Sequence, residues 1–230
     1  MKFDPKPFPG KVELLSVKEP LVETLSTGRT YDFDGEKYPS ITTVLSQTAD
    51  KSFLEAWKKR VGDEEANKIS KAATTKGSSL HLLLEQWIKN DQLPEASASA
   101  KMLFNSVAPV VARKLSHVVA VELPLRSSSL RVAGRTDLIG IWDGMPVVLD
   151  WKSNHSNGPK NLNWCTDYRI QAAFYSQAFF ETFGKRIKKG VLVFANVLGC
   201  QVDVFDLDQY NELLVERVNT YYGGKSEASA

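Results

Sequence analysis

Apolar positions along this chain switch near residue 115 from a mainly helical period to a mainly alternating one. Before that point they recur every three to four residues, which predicts helices, and after it they alternate or run continuously, which predicts strands. Residues 1–29 carry no sustained period and read as extended and irregular. Tyr31-Asp32-Phe33 and Lys37-Tyr38 flank Asp34-Gly35, a hairpin signal. Ser40 is placed to cap a helix with Ile41, Val44 and Leu45 as its apolar stripe. Further helices are predicted over about 52–61, over about 64–90 with a break near Thr74 to Gly77, and over 98–115, the last preceded by a linker at Pro94 and residues 95–100. Then come strands over 118–125, 130–142 and 146–152, a polar loop over 153–163, a helix over 167–183, strands over 190–196 and 200–205, and a helix over 208–222. Helices followed by βββ-α-ββ-α imply an α/β fold, a central mixed sheet flanked by helices. The organisation expected is an N-terminal extended and helical region over 1–115, a core over 116–222 and a disordered tail over 223–230.

The most informative chemistry lies at the ends of two predicted strands. Asp150 and Lys152 follow Val147-Val148-Leu149 and, two apart on a strand, share a face, leaving Leu149 and Trp151 for the core. Asp137 lies thirteen positions earlier on a strand joined to this one by Asp143-Gly144, a strong turn signal. A hairpin there sets two carboxylates side by side. They repel unless a hard cation sits between them, and a neighbouring lysine can orient a water for phosphodiester hydrolysis.

Other candidates carry two readings each. His81 and Glu85 share one helix face. They are either a core histidine bonded to its neighbour or, beside a carboxylate pair, a nitrogen ligand and an accessory acid. Lys76-Gly77-Ser78-Ser79 is either a helix start whose N–H groups and cations meet a phosphate, or a kink at Gly77. Gln171 and Tyr175, four apart, either contact nucleic-acid backbone and orient the lysine or make an ordinary helix-surface contact. Glu122, inside an apolar strand, needs a partner: a metal shell, or one of Arg126, Arg131 and Arg135. Trp142, Trp151 and Phe194 read as core, whereas Trp87, Trp164 and Tyr168 are core or base-stacking residues.

Composition narrows the classes. Apolar content of 43% and charged content of 24% are those of a globular domain, and no run approaches a membrane span. The net charge is +2, but residues 152–189 carry seven Lys or Arg against two acids, which suits a phosphate-rich partner. Two cysteines, Cys165 and Cys200, exclude a disulfide framework and a four-cysteine iron–sulfur site and favour a reducing compartment. Residues 1–10, with Pro5, Pro7, Pro9 and Gly10, resemble neither a signal peptide nor a transit sequence.

Four elements in order resemble the RecB-like branch of the PD-(D/E)XK nucleases: helical Gly77-X-X-X-His81, a strand ending Gly134-Arg135-Thr136-Asp137, Asp150-Trp151-Lys152, and Gln171-X-X-X-Tyr175. Tyr38 to Leu45, with Phe53-Leu54 and Trp57-Lys58, is similar to the N-terminal part of the mitochondrial genome maintenance exonucleases and their phage and bacterial relatives. The resemblance implies a restriction-endonuclease-like core. His81, Asp137, Asp150 and the Trp151 carbonyl would be ligands of Mg²⁺ or Mn²⁺. Lys152 would be the catalytic lysine, and Gln171 with Tyr175 the accessory motif. It implies a DNA exonuclease of replication, repair or recombination, leaving 5′-phosphates and acting on single strands or frayed ends. Helices of residues 40–115 would arch over the site, with Lys58, Lys59 and Lys76 on phosphates. The alternatives are a ring-forming double-strand exonuclease of phage recombination, an inactive DNA-binding domain and an RNA-end nuclease. A monomer is expected, without an iron–sulfur cluster or a fused helicase motor. The expected setting is the cytoplasm of a bacterial or phage-infected cell, or the mitochondrial matrix if an import signal has been removed.

Overall fold

A computed structural model describes residues 5–154 and 158–227. The strands are β1 (Lys11–Val12), β2 (Leu21–Leu25), β3 (Gly28–Phe33), β4 (Glu36–Pro39), β5 (Leu115–Ser127), β6 (Val132–Trp142), β7 (Met145–Ser153), β8 (Lys189–Asn196) and β9 (Gly199–Asp206). The helices are α1 (Ile41–Thr48), α2 (Ser52–Val61), α3 (Asp63–Lys89), α4 (Ala98–Lys114), α5 (Thr166–Phe183) and α6 (Asn211–Glu227). Six strands form a mixed sheet in the order β1-β5-β6-β7-β8-β9, parallel at β1–β5 and β7–β8 and antiparallel elsewhere. Parallel β7 and β8 need a crossover, and α5 supplies it.

Helices cover both faces, so the sheet is buried on both sides. Ile139, Val148, Leu192 and Phe194 pack against α1, α5 and α6. Leu138, Leu149, Trp151, Val191 and Val193 pack against α3 and α4. Alternation along β6 and β7 therefore sends Asp137 and Asp150 to the α5 side while Leu149 and Trp151 go to the α3 side, the facing read from the sequence. Arg217 of α6 fixes α1 against this layer, donating to the Leu45 carbonyl at 2.6 Å and pairing with Asp167 at 2.8 Å.

Both predicted hairpins are present. Asp34-Gly35 joins β3 to β4 and Asp143-Gly144 joins β6 to β7. All four residues have positive φ, as two-residue turns matching strand twist require. Ser40 caps α1, accepting from the Thr43 N–H at 3.0 Å.

Four expectations are corrected. Residues 1–29 are not wholly irregular: β1 joins β5, and β2 pairs with β3 in a separate three-stranded sheet. Every residue of β2 is exposed, so its pairing rests on backbone bonds and left no burial pattern to read. Helix α3 runs unbroken through Gly77 and ends at Asn90 in the left-handed conformation. Helix α4 packs on the sheet face away from the carboxylates and arches over nothing. The final helix continues through 223–227, part of the expected tail, while the rest of that tail, 228–230, lies outside the described residues.

Candidate active site

Leu138 pairs with Leu149, so the next step along the register sets Asp137 opposite Asp150. On the other side of β6, Val121 pairs with Leu138 and Leu123 with Thr136, so Glu122 also falls opposite Asp137. Opposed residues share a face, and three carboxylates converge there. Glu122 reaches this place through a left-handed backbone (φ 51°), with its carbonyl held by Arg135, which is clamped in turn to Glu19 at 2.5 Å. A bulky residue in that conformation is strained, and such strain collects at functional sites.

Helix α3 brings His81 across the ends of these strands. His81 Nε2 lies 2.8 Å from the Trp151 carbonyl oxygen and Nδ1 lies 3.4 Å from Asp137 Oδ2. Asp137 Oδ2 also accepts from the Trp151 N–H at 2.9 Å. The sequence alternative, a histidine bonded to Glu85, is not what forms: Glu85 pairs with Lys89 at 2.8 Å. Lys152 Nζ lies 2.5 Å from Asp150 Oδ2 and 4.7 Å from the ring centre of Tyr168. Asp150 is almost wholly buried, and its Oδ1 has no hydrogen-bond partner.

These groups line one cleft of about 660 Å³. Asp137, Asp150, Lys152, His81, Trp151, Glu122, Glu85, Gln171 and Tyr175 all reach it. Gln171 Nε2 donates to the Tyr175 hydroxyl at 3.2 Å. Gly134 makes room for that phenol, since a Cβ there would sit 2.9 Å from the Tyr175 ring. Lys76 and Ser79 do not reach the cleft. They lie on the other face of α3, where Ser79 donates to the Thr75 carbonyl at 3.0 Å. Because α3 is continuous there, residues 76–79 present no helix terminus, and the reading of a phosphate on free N–H groups falls. Gly77 instead lets α3 approach β7: a Cβ on it would lie 3.3 Å from Ser153 Oγ. Lys58 and Lys59 also stay outside the cleft, whose lysine and arginine side chains are Lys152, Arg29 and Arg135.

Tyr168, read from the sequence as a core or base-stacking residue, lines the cleft; it stands three and seven positions before Gln171 and Tyr175, a helical spacing that puts it on their face. Sequence reasoning missed Arg29, Tyr31, Ser40 and Thr42 as lining residues: they come from the small sheet and the start of α1, where the hairpin and helix-cap signals spoke of local structure and not of the cleft. Trp87 is core, its Nε1 donating to the Lys6 carbonyl at 2.7 Å.

The electrostatics are those of crowded acids. Burial, then Asp137, pushes Glu122 up to about 7. Burial raises Asp150 against the pull of Lys152. Burial opposes the charge on His81, but the Asp137 carboxylate outweighs it and holds the imidazole at about 9. Asp137 goes down despite burial, because His81 faces it. His81, Glu122 and Asp137 each offer a ligand atom, all within 4.8 Å of one another, and these nitrogen and carboxylate donors fit a divalent cation of the Mg²⁺ or Mn²⁺ kind. Among the described residues nothing pairs with the Glu122 carboxylate, so of its two sequence readings the salt bridge does not form.

No family model and no curated protein matches the chain. Among solved structures it is similar to the crystal structure of SSO0001, at 15% identity over 73% of this chain and 68% of that one, with a TM-score of 0.39. A likeness that loose carries no argument. Among the described residues no helix is long and apolar enough to cross a membrane.

Proposed function

We propose that this chain is a divalent-metal-dependent deoxyribonuclease built on a PD-(D/E)XK core, acting as an exonuclease on single strands or frayed ends. The observation that carries this reading is the meeting of Asp137, Asp150, Lys152 and His81, drawn from two strands and a helix, at one buried point of an open cleft. Asp137 and His81 would hold the cation together with Asp150 and the Trp151 carbonyl, and Glu122 would complete the donor set. When bound, that cation would polarise the scissile phosphate and acidify a water. Lys152, set against Asp150, would hold the attacking water and offset charge gathering on the phosphate. The Tyr168 ring would shield the ammonium from solvent on one side. Gln171 and Tyr175 would buttress the carboxylates from beneath. Products would carry a 5′-phosphate.

The test is end-labelled linear and circular DNA, single- and double-stranded, with an RNA of the same sequence, each incubated with Mg²⁺ or Mn²⁺ and with EDTA. Metal-dependent loss of linear single strands, with circles spared, is expected. Cutting of circles would turn the reading to an endonuclease, and no cutting of any substrate would leave a binding domain.

A further inference from the structure

Helix α2 buries none of its residues. Its Phe53 is 75% exposed and meets Trp164, 71% exposed, across a chain separation of more than a hundred residues. The ring centres are 6.3 Å apart at 41°. Of the five tryptophans Trp87, Trp142 and Trp151 are buried and Trp57 is half-buried, which leaves Trp164 as the exposed one. Two large aromatic rings kept in water and held together have available π-faces, which the core does not explain.

The helix that carries Phe53 is basic at its far end. Helix α2 carries Lys58, Lys59 and Arg60 in its last turn and a single acid, Glu55. Neither ring lines the cleft, but from each the chain leads into one of its walls. Phe53 leads through α2 into α3, whose Thr74, Gly77 and Ser78 line the cleft, and Trp164 leads into α5, whose Tyr168 and Gln171 line it.

We propose that Phe53 and Trp164 form a platform on which an unpaired nucleobase stacks before its strand enters the cleft, with the adjoining phosphates beside Lys58, Lys59 and Arg60. Aromatic faces next to cations are the chemistry of single-strand binding. Bases in a duplex are already stacked on one another, so this platform, rather than the carboxylate site, sets a preference for unpaired DNA. The inference rests on the nuclease reading of the cleft.

The experiment uses the wild-type chain in EDTA, so that nothing is cut. Short oligothymidine, an abasic strand of equal length and a blunt duplex are titrated against wild type, Trp164→Leu, Phe53→Leu and Trp164→Phe. Wild type should bind oligothymidine with quenching of tryptophan emission. Each leucine variant should bind it roughly tenfold more weakly. Affinity for the abasic strand should stay the same, and Trp164→Phe should retain most of the binding. Melting temperatures should not move, because both rings are exposed. Unchanged oligothymidine affinity in both leucine variants, or equal losses on the abasic strand, would overturn the platform. If the chain also cuts DNA with Mn²⁺, the nuclease reading survives that result. A wild-type chain that binds no oligonucleotide and cuts none removes both. A dimer in wild type that Trp164→Leu makes monomeric would show a second copy covering the rings and end the stacking proposal.

Discussion

His81 and Trp151 are joined through the backbone: the imidazole Nε2 lies 2.8 Å from the Trp151 carbonyl oxygen, while the Trp151 N–H donates to Asp137. A carbonyl can only accept, so Nε2 carries a proton. With Nδ1 facing the Asp137 carboxylate and the pKa held at about 9, the ring is an imidazolium at neutral pH. To ligate a cation it must first lose a proton.

Cation binding should therefore release protons. Calorimetric titration of Mn²⁺ in buffers of different ionisation enthalpy should show net proton release at neutral pH, and the affinity should rise with pH toward about 9. Affinity independent of pH between 6 and 9 would remove His81 from the donor set.

Stability in EDTA should fall as pH rises. A histidine whose pKa is raised from 6.5 to about 9 contributes stability below 6.5 and loses it on the way up through 9. Glu122, raised from 4.5 to about 7, also binds more protons folded than unfolded, so ionising it removes stability over that window. Asp150 adds to the trend in the same direction. Melting temperatures across pH 5 to 9 should decline, and saturating Mn²⁺ should flatten the decline.

Asp150→Ala and Lys152→Ala should both lower turnover by roughly a hundredfold or more, for different reasons. The first removes a cation donor and should weaken Mn²⁺ binding. The second should leave Mn²⁺ binding nearly intact. Normal turnover in Lys152→Ala would end the nuclease assignment.

His81 and Leu83 separate chemistry from packing. Leu83 is fully buried against α4, and Leu83→Ala should cost about 2–5 kcal/mol while leaving Mn²⁺ affinity alone. His81→Ala should instead weaken Mn²⁺ binding and remove the His81 share of the pH dependence of stability in EDTA, which Leu83→Ala should leave in place.

Gly134→Ala should act on the site through Tyr175. The new methyl would sit 2.9 Å from the Tyr175 ring and 3.2 Å from Ile41, both buried. Overpacking of this kind costs about 1–3 kcal/mol. The displaced phenol should lose its bond to Gln171, read as a lower denaturation midpoint together with lower turnover.

Local order was legible in the sequence wherever period and turn chemistry agreed. The β6–β7 hairpin follows from Asp143-Gly144, and from it comes the opposition of Asp137 and Asp150. Helix α1 follows from Ser40 and its apolar stripe. A hairpin register links residues a few positions apart, so spacing alone determines which of them share a face. Three matters waited for the fold. Glu122 opposes Asp137 through the β5–β6 register, which pairs Val121 with Leu138 and Leu123 with Thr136, and its left-handed backbone is held by Arg135, itself paired with Glu19 from elsewhere in the chain. The continuity of α3 through Gly77 is decided by its packing against β7, which outweighs the weak helix preference of one glycine. The meeting of His81 with Trp151, and of Phe53 with Trp164, spans seventy residues or more. Contacts of that range arise when helices and sheet pack as solids, and no local pattern along the chain encodes them.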